Sequence, residues 1–184
     1  MIGIIDYGMG NLRSVQKALE SAGARARIVA SPEEVRASDK LVLPGVGAMK
    51  PAMDRLEELK LTGPVRDFAA SGRPFLGICL GFQLLADAST EGGLVQGLGS
   101  LPGTVERFPG SVKVPQMGWN QLKFTRPGCP MYRGVEDGAY VYFCHSYYVK
   151  PKDPSVNATL TDYGVSYSSS VCAGNIWAAQ FHPE

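Results

Sequence analysis

Hydrophobic and polar positions follow two different periods along this chain, and the change of period divides it into two stretches. In the first ninety residues, short apolar runs at 3–6, 27–29, 40–43 and 74–78 predict strands. Between them, Leu12, Val15 and Leu19 recur at helical spacing and predict a helix over 11–22, which Gly23 closes. Ser31-Pro32-Glu33-Glu34 has the order of an N-cap, a first-turn proline and first-turn acids, so it opens a second helix. Further helices are predicted over 49–59 and 65–70. Strand and helix alternating at such short intervals predict a mostly parallel sheet flanked by helices, the α/β class. After about residue 93 the runs 140–143, 157–160, 165–171 and 176–181 are β-rich, with glycine and proline between them. Ala173-Gly174-Asn175 joins the last two as a hairpin. The second half therefore predicts an antiparallel β extension on the parallel sheet. No internal repeat or low-complexity linker interrupts the pattern, so residues 1–184 read as a single domain.

Composition narrows the function. The chain has 184 residues and a formal net charge of +1. At this size a single domain buries about 70% of its unfolded surface. Its basic residues form no extended cluster, which excludes a polyanion as the expected partner: no nucleic acid. Met1-Ile2-Gly3-Ile4-Ile5-Asp6 lacks a basic region and reaches an acid at once, so no signal peptide is expected. No apolar stretch approaches the ~20 residues that span a bilayer, so no membrane is expected either, and the chain is assigned to the cytoplasm. The four cysteines, Cys79, Cys129, Cys144 and Cys172, have no metal-ligand spacing, and His145 and His182 are the two histidines. No metal site is expected. In a reducing compartment the thiols are free.

One cysteine stands apart. Residues 74–78 run as an apolar strand into Gly77-Ile78-Cys79-Leu80-Gly81, and Leu80, Leu84, Leu85 and Ala88 then predict one helix face. Glycine two residues either side of a nucleophile is what a sharp strand-to-helix turn demands, because the backbone folds back too closely for a β-carbon. The turn lifts Cys79 to a helix N-terminus, where free amides and the helix dipole favour thiolate. An isolated cysteine is ordinarily a small buried hydrophobe. The two glycines reverse that reading for Cys79, and the other three cysteines are read as packing.

A nucleophilic cysteine needs a base. The chain reaches its last three residues, His182-Pro183-Glu184, straight from an apolar run. In extended chain, residues i and i+2 share a face about 6.6 Å apart, so Glu184 can accept the proton of one His182 nitrogen. The other nitrogen is then free to take the thiol proton, the arrangement of a nucleophile–base–orienter triad. His145 has no comparable partner, since Asp137 and Asp153 are both eight positions away; it reads as a hydrogen-bonded histidine at a strand end. For an oxyanion hole, the candidates are the Leu80 amide and the turn Pro44-Gly45-Val46-Gly47, with Val46 and Gly47 as its donors.

With these residues in view, Gly77-x-Cys79-x-Gly81-x-Gln83 and His182-Pro183-Glu184 are similar to the class I (triad) glutamine amidotransferases, a flavodoxin-like family. Residues 6–12 (Asp-Tyr-Gly-Met-Gly-Asn-Leu), Pro44-Gly45-Val46-Gly47, Met117-Gly118-Trp119-Asn120 and His145-Ser146-Tyr147 resemble the glutaminase subunits of imidazole glycerol phosphate synthase. The resemblance implies that glutamine is hydrolysed through a cysteine thioester, without a cofactor. It also implies that the ammonia passes to a separate (β/α)8 cyclase subunit making imidazole glycerol phosphate in histidine biosynthesis. By the family pattern Gln83, Glu91, Ser146 and Tyr147 hold the glutamine. Asn11, Met117, Trp119, Asn120 and Tyr142 lie toward the partner, and Gly8-Met9-Gly10 becomes a contact loop. The likeness of that loop to a dinucleotide fingerprint is accidental, because the third glycine is missing. The family pattern also continues past His-Pro-Glu, so a C-terminal tail is expected to be missing here. Two rivals remain: the glutaminase of another class I amidotransferase, such as pyridoxal phosphate synthase, which lacks the Met-Gly-Trp-Asn and His-Ser-Tyr stretches, and a catalytically silent scaffold relative.

Overall fold

A computed structural model describes residues 1–126 and 128–184. In chain order the first half contains β1 (Ile2–Ile5), α1 (Leu12–Ser21), β2 (Ala26–Val29), α2 (Pro32–Ala37), β3 (Lys40–Leu43), α3 (Met49–Glu58), α4 (Thr62–Ala70), β4 (Phe75–Ile78) and α5 (Leu80–Leu84). The second half contains β5 (Ala88–Ser89), β6 (Val95–Gln96), β7 (Gly103–Arg107), β8 (Gln116–Gln121) and β9 (Lys123–Phe124). It continues with β10 (Tyr140–His145), β11 (Tyr147–Pro151), β12 (Asn157–Asp162), β13 (Ser166–Ala173) and β14 (Ile176–Ala179).

The main sheet has the order β2-β1-β3-β4-β14-β13-β12-β9. Its first five strands are parallel, and β13, β12 and β9 continue it antiparallel. Side-chain alternation decides which layer each strand residue joins. Ile5, Leu41, Leu43 and Phe75 point into the larger core with α2, α3, α4 and α5, while Ile4, Val42 and Ile78 pack with Val15 of α1 on the other face. Helix α2 carries the expected cap: Ser31 Oγ accepts from the Glu34 amide while the Glu34 carboxylate accepts from the Ser31 amide. The predicted hairpin forms, with Ala173 opposite Ile176 across Gly174-Asn175.

The structure corrects two expectations. The helix after Cys79 ends at Leu84, and Ala88 lies instead in β5 of a separate four-stranded sheet ordered β11-β7-β5-β6. The carbonyls that would have continued the helix are taken by the 98–101 loop: Leu84 O accepts from Leu98 N at 2.7 Å and Leu85 O from Leu101 N at 2.9 Å. Antiparallel structure consequently begins at Ala88 rather than after residue 93. The third β unit is a two-stranded ribbon of β8 and β10.

A parallel sheet ordered 2-1-3-4-5, counting β14 as fifth, binds its ligands beyond the carboxyl ends of its strands. The segments leaving those ends here are Asp6-Tyr7-Gly8 after β1, Pro44–Gly47 after β3, Cys79 after β4 and Gln180–Glu184 after β14.

Candidate active site

Cys79 sits in the turn between β4 and α5 with φ +54 and ψ −109, a conformation a non-glycine residue avoids. The surrounding packing enforces it. A β-carbon on Gly81 would lie 1.7 Å from Leu43 O, and one on Gly77 would lie 3.0 Å from Gly81 O. The two glycines therefore let α5 press against β3 and β4, and the strain falls on the cysteine between them. With five residues, α5 supplies less dipole than the longer predicted helix would have done.

His182 and Glu184 leave β14 on the same face, and His182 Nδ1 lies 3.1 Å from Glu184 Oε1. The His182 imidazole is pushed up to about 10, first by the Cys79 sulfur beside it and next by its hydrogen bond with Glu184. At neutral pH it is an imidazolium facing the sulfur. Burial works to raise the Glu184 carboxyl, whose side chain is 10% exposed, but the bond from His182 prevails and holds it below the usual carboxylate range.

A cavity of about 160 Å³ opens beside Cys79 and is lined by Gly47, Leu80, Gln83, Glu91, His145, Ser146 and Tyr147. All four residues named for glutamine thus meet at one place, drawn from α5, the loop after β5 and the β10–β11 junction. Glu91 Oε2 accepts from the Met49 amide at 2.9 Å, which supplies the helix cap that Ala48 cannot give α3 and fixes the carboxylate at the cavity wall. Both hydrogens of Gln83 Nε2 are used inside the protein, by Tyr147 O at 2.9 Å and Gln180 Oε1 at 3.1 Å, leaving its carbonyl oxygen for a ligand.

The oxyanion donors are not assembled as the sequence suggested. The Leu80 amide donates to Gly45 O at 3.4 Å, so the turn presents a carbonyl where a second donor was expected. Gly45 has no room for a side chain, since a β-carbon would stand 2.2 Å from the Tyr7 hydroxyl, which donates to Pro44 O at 3.0 Å. Gly47 lines the cavity at φ +102, while Val46 is about half exposed.

His145 ends β10, buried, with Nδ1 2.7 Å from Tyr147 O and Nε2 3.3 Å from the Tyr167 hydroxyl. The carbonyl fixes the proton on Nδ1, and burial pushes the ring down to about 4, so it is neutral. Cys129 and Cys172 are buried in one small cluster with Ala158. Cys144, read as packing from sequence, is exposed instead, because it faces outward on β10.

On the ribbon, Met117 and Trp119 of β8 and Tyr142 of β10 share the outer face, with Trp119 70% and Met117 63% exposed and Trp119 edge-on to Tyr142. Asn120 alternates to the other side, where its amide donates to Asp162 O and its oxygen accepts from the Gln121 amide. Asn11 is the N-cap of α1 and exposed. The ribbon reaches the site directly, since the His182 amide donates to Tyr142 O at 3.4 Å. The loop before Asn11 does so as well: Gly47 lies against Met9, and Gly10 lies against Pro44.

Sequence reasoning passed over Gln180. Its side chain is fully buried and its Nε2 lies 3.6 Å from Cys79 Sγ. The signal was available, because Gln180, His182 and Glu184 continue one period-two face.

The chain matches the family described as glutamine amidotransferase class-I over residues 3–184. It is 52% identical to the imidazole glycerol phosphate synthase subunit HisH of Syntrophotalea carbinolica, over all of this chain and 92% of that one. To the subunit of the same name from Moorella thermoacetica it is 49% identical, over all of this chain and 87% of that one. Among solved structures, a glutamine amidotransferase crystal structure superposes with a TM-score of 0.78 at 21% identity, covering 99% of this chain and 89% of that one. PurLQS from Thermotoga maritima gives 0.74 at 21% identity, covering 99% and 86%. At such identities these two likenesses speak to the fold.

Proposed function

The chain belongs to the class I glutamine amidotransferases, and from that premise we infer that it is the glutaminase subunit of an imidazole glycerol phosphate synthase. It hydrolyses glutamine and feeds the ammonia to a cyclase subunit in histidine biosynthesis. The observation that carries the chemistry is Cys79, with the His182–Glu184 pair beside it, opening onto a cavity walled by Gln83, Glu91, Ser146 and Tyr147.

Cys79 Sγ attacks the side-chain carbonyl carbon of glutamine. The carbonyl π electrons move to oxygen, and the tetrahedral oxyanion is stabilised by backbone amides. His182 gives its proton to the departing nitrogen, the C–N bond breaks, and ammonia leaves a γ-glutamyl thioester on Cys79. Water, deprotonated by the now neutral His182, adds to the thioester and releases glutamate and the thiolate. Glu184 holds the imidazole orientation throughout and stabilises its charge whenever it is protonated. The Glu91 carboxylate suits the substrate ammonium, and Gln83 Oε1 accepts one of the substrate's N–H groups.

The cyclase docks on the outer face of the ribbon, through Met117, Trp119 and Tyr142, and on the loop leading to Asn11. Asn120 supports that face from behind. Both surfaces touch the site, at Tyr142 O and at Met9. Rotation of the Gly45–Val46 peptide would withdraw Gly45 O from the Leu80 amide and bring in the Val46 amide, completing the oxyanion hole. One such donor is worth roughly 10²–10³ in rate. Docking of the cyclase with its nucleotide shifts the turn toward that state. Such an enzyme works in the cytoplasm, and no helix among the described residues is long and apolar enough to cross a membrane.

The test is Cys79→Ala in the complex with a cyclase subunit. Glutamine-dependent synthesis should vanish while ammonia-dependent synthesis persists, because only thioester formation needs the thiol. Glutaminase activity surviving above a trace would overturn the assignment.

A further inference from the structure

β4 and β14 run parallel with Ile78 opposite Ala179, so the next residues, Cys79 and Gln180, leave the sheet side by side. The Cys79 amide donates to Ala179 O at 2.8 Å and secures this alignment. Gln180 is fully buried, and a buried carboxamide is unfavourable unless its groups are bonded. The bonding here also fixes which way the amide points. Tyr147 O is a backbone acceptor, so the atom of Gln83 beside it is the nitrogen. That nitrogen faces Gln180 at 3.1 Å, so Gln180 turns its oxygen toward Gln83. Its nitrogen, by exclusion, is the atom 3.6 Å from Cys79 Sγ.

We propose that Gln180 is a positioning residue for the glutaminase reaction, whose side-chain N–H holds the Cys79 sulfur as a thiolate in its attack orientation and whose oxygen orients Gln83 toward the substrate. It takes up the role expected of the α5 dipole, which the five-residue helix leaves small. A hydrogen bond to a charged acceptor is the stronger kind, in the range that changes thiolate population about tenfold. The proposal rests on Cys79 being the nucleophile.

Gln180→Met keeps the side-chain length and removes the donor and the acceptor together. In the cyclase complex, the pH profile of Cys79 alkylation by iodoacetamide should move about one unit toward higher pH. Glutamine-dependent kcat should fall about tenfold or more while ammonia-dependent synthesis stays at the wild-type level. An unshifted alkylation profile in a variant that still supports ammonia-dependent synthesis would overturn the proposal. In the wild-type chain, the Gln180 side-chain amide resonances should move on alkylation of Cys79 and titrate together with its reactivity. Resonances indifferent to both would overturn it even if Gln180→Met failed to fold. A fully active Cys79→Ala complex would bring down the nucleophile assignment instead, and with it this proposal.

Discussion

Replacing Gly81 with alanine tests the geometry of the nucleophile turn at a single atom. The added carbon would stand 1.7 Å from Leu43 O and 2.7 Å from Leu43 C, so α5 and β3 must separate by at least 1.3 Å to reach 3.0 Å. Leu43 lies in a central strand, paired with Gly77 of β4, so the five-residue α5 is the element that yields. Overpacking of this kind costs about 1–3 kcal/mol, and a backbone obstacle puts it at the upper end, about 3 kcal/mol. For a domain of this size that is a Tm loss of roughly 6–12 °C. Displacing α5 also carries the Leu80 amide and Cys79 with it, and a misplacement near 1 Å costs about 10²-fold in rate. Gly63→Ala in α4 is the control: apart from its own chain neighbours nothing lies within 4 Å of its β-carbon position, so alanine there should leave turnover unchanged. Thermal melts of the isolated variants and glutamine hydrolysis in the cyclase complex give both readouts. A Gly81→Ala protein with wild-type Tm and turnover would refute the packing argument.

Two further outcomes follow from the site. His145 has its proton affinity depressed to about 4 by burial, so between pH 6.5 and 4 the unfolded chain binds a proton that the native state refuses. Native stability therefore falls on acidification, by about 2 kcal/mol from pH 7 to 5. Urea unfolding of His145→Gln should lack this component, and an unchanged pH slope would count against a neutral, buried ring. On the ribbon, Trp119→Ala should weaken cyclase association by about 2 kcal/mol, roughly thirtyfold in Kd. Because the indole is mostly exposed, the Tm of the free chain should hardly move. Calorimetric titration showing unaltered affinity would remove the ribbon from the docking surface.

The chain by itself determined whatever depends on neighbours in sequence. The α/β alternation, the glycines around Cys79, the period-two spacing of His182 and Glu184 and the hairpin at Gly174-Asn175 are local matters of backbone sterics and side-chain direction, and they were legible for that reason. The two faces of β1, β3 and β4 follow from the same alternation. Other features required the tertiary structure. That α5 stops at Leu84 is decided by Leu98 and Leu101, residues far enough along the chain that no helical periodicity in 80–88 reports them. The direction of the Gly45 carbonyl depends on the Leu80 amide arriving from another strand end, and the outward face of Cys144 on the pairing of β10 with β8. Gln180 meets Cys79 across a separation of 101 residues, because parallel pairing of β4 and β14 sets Ile78 opposite Ala179. A shift of one residue in that register would turn the same glutamine to the opposite face, and no local pattern in either strand specifies which neighbour the other will meet.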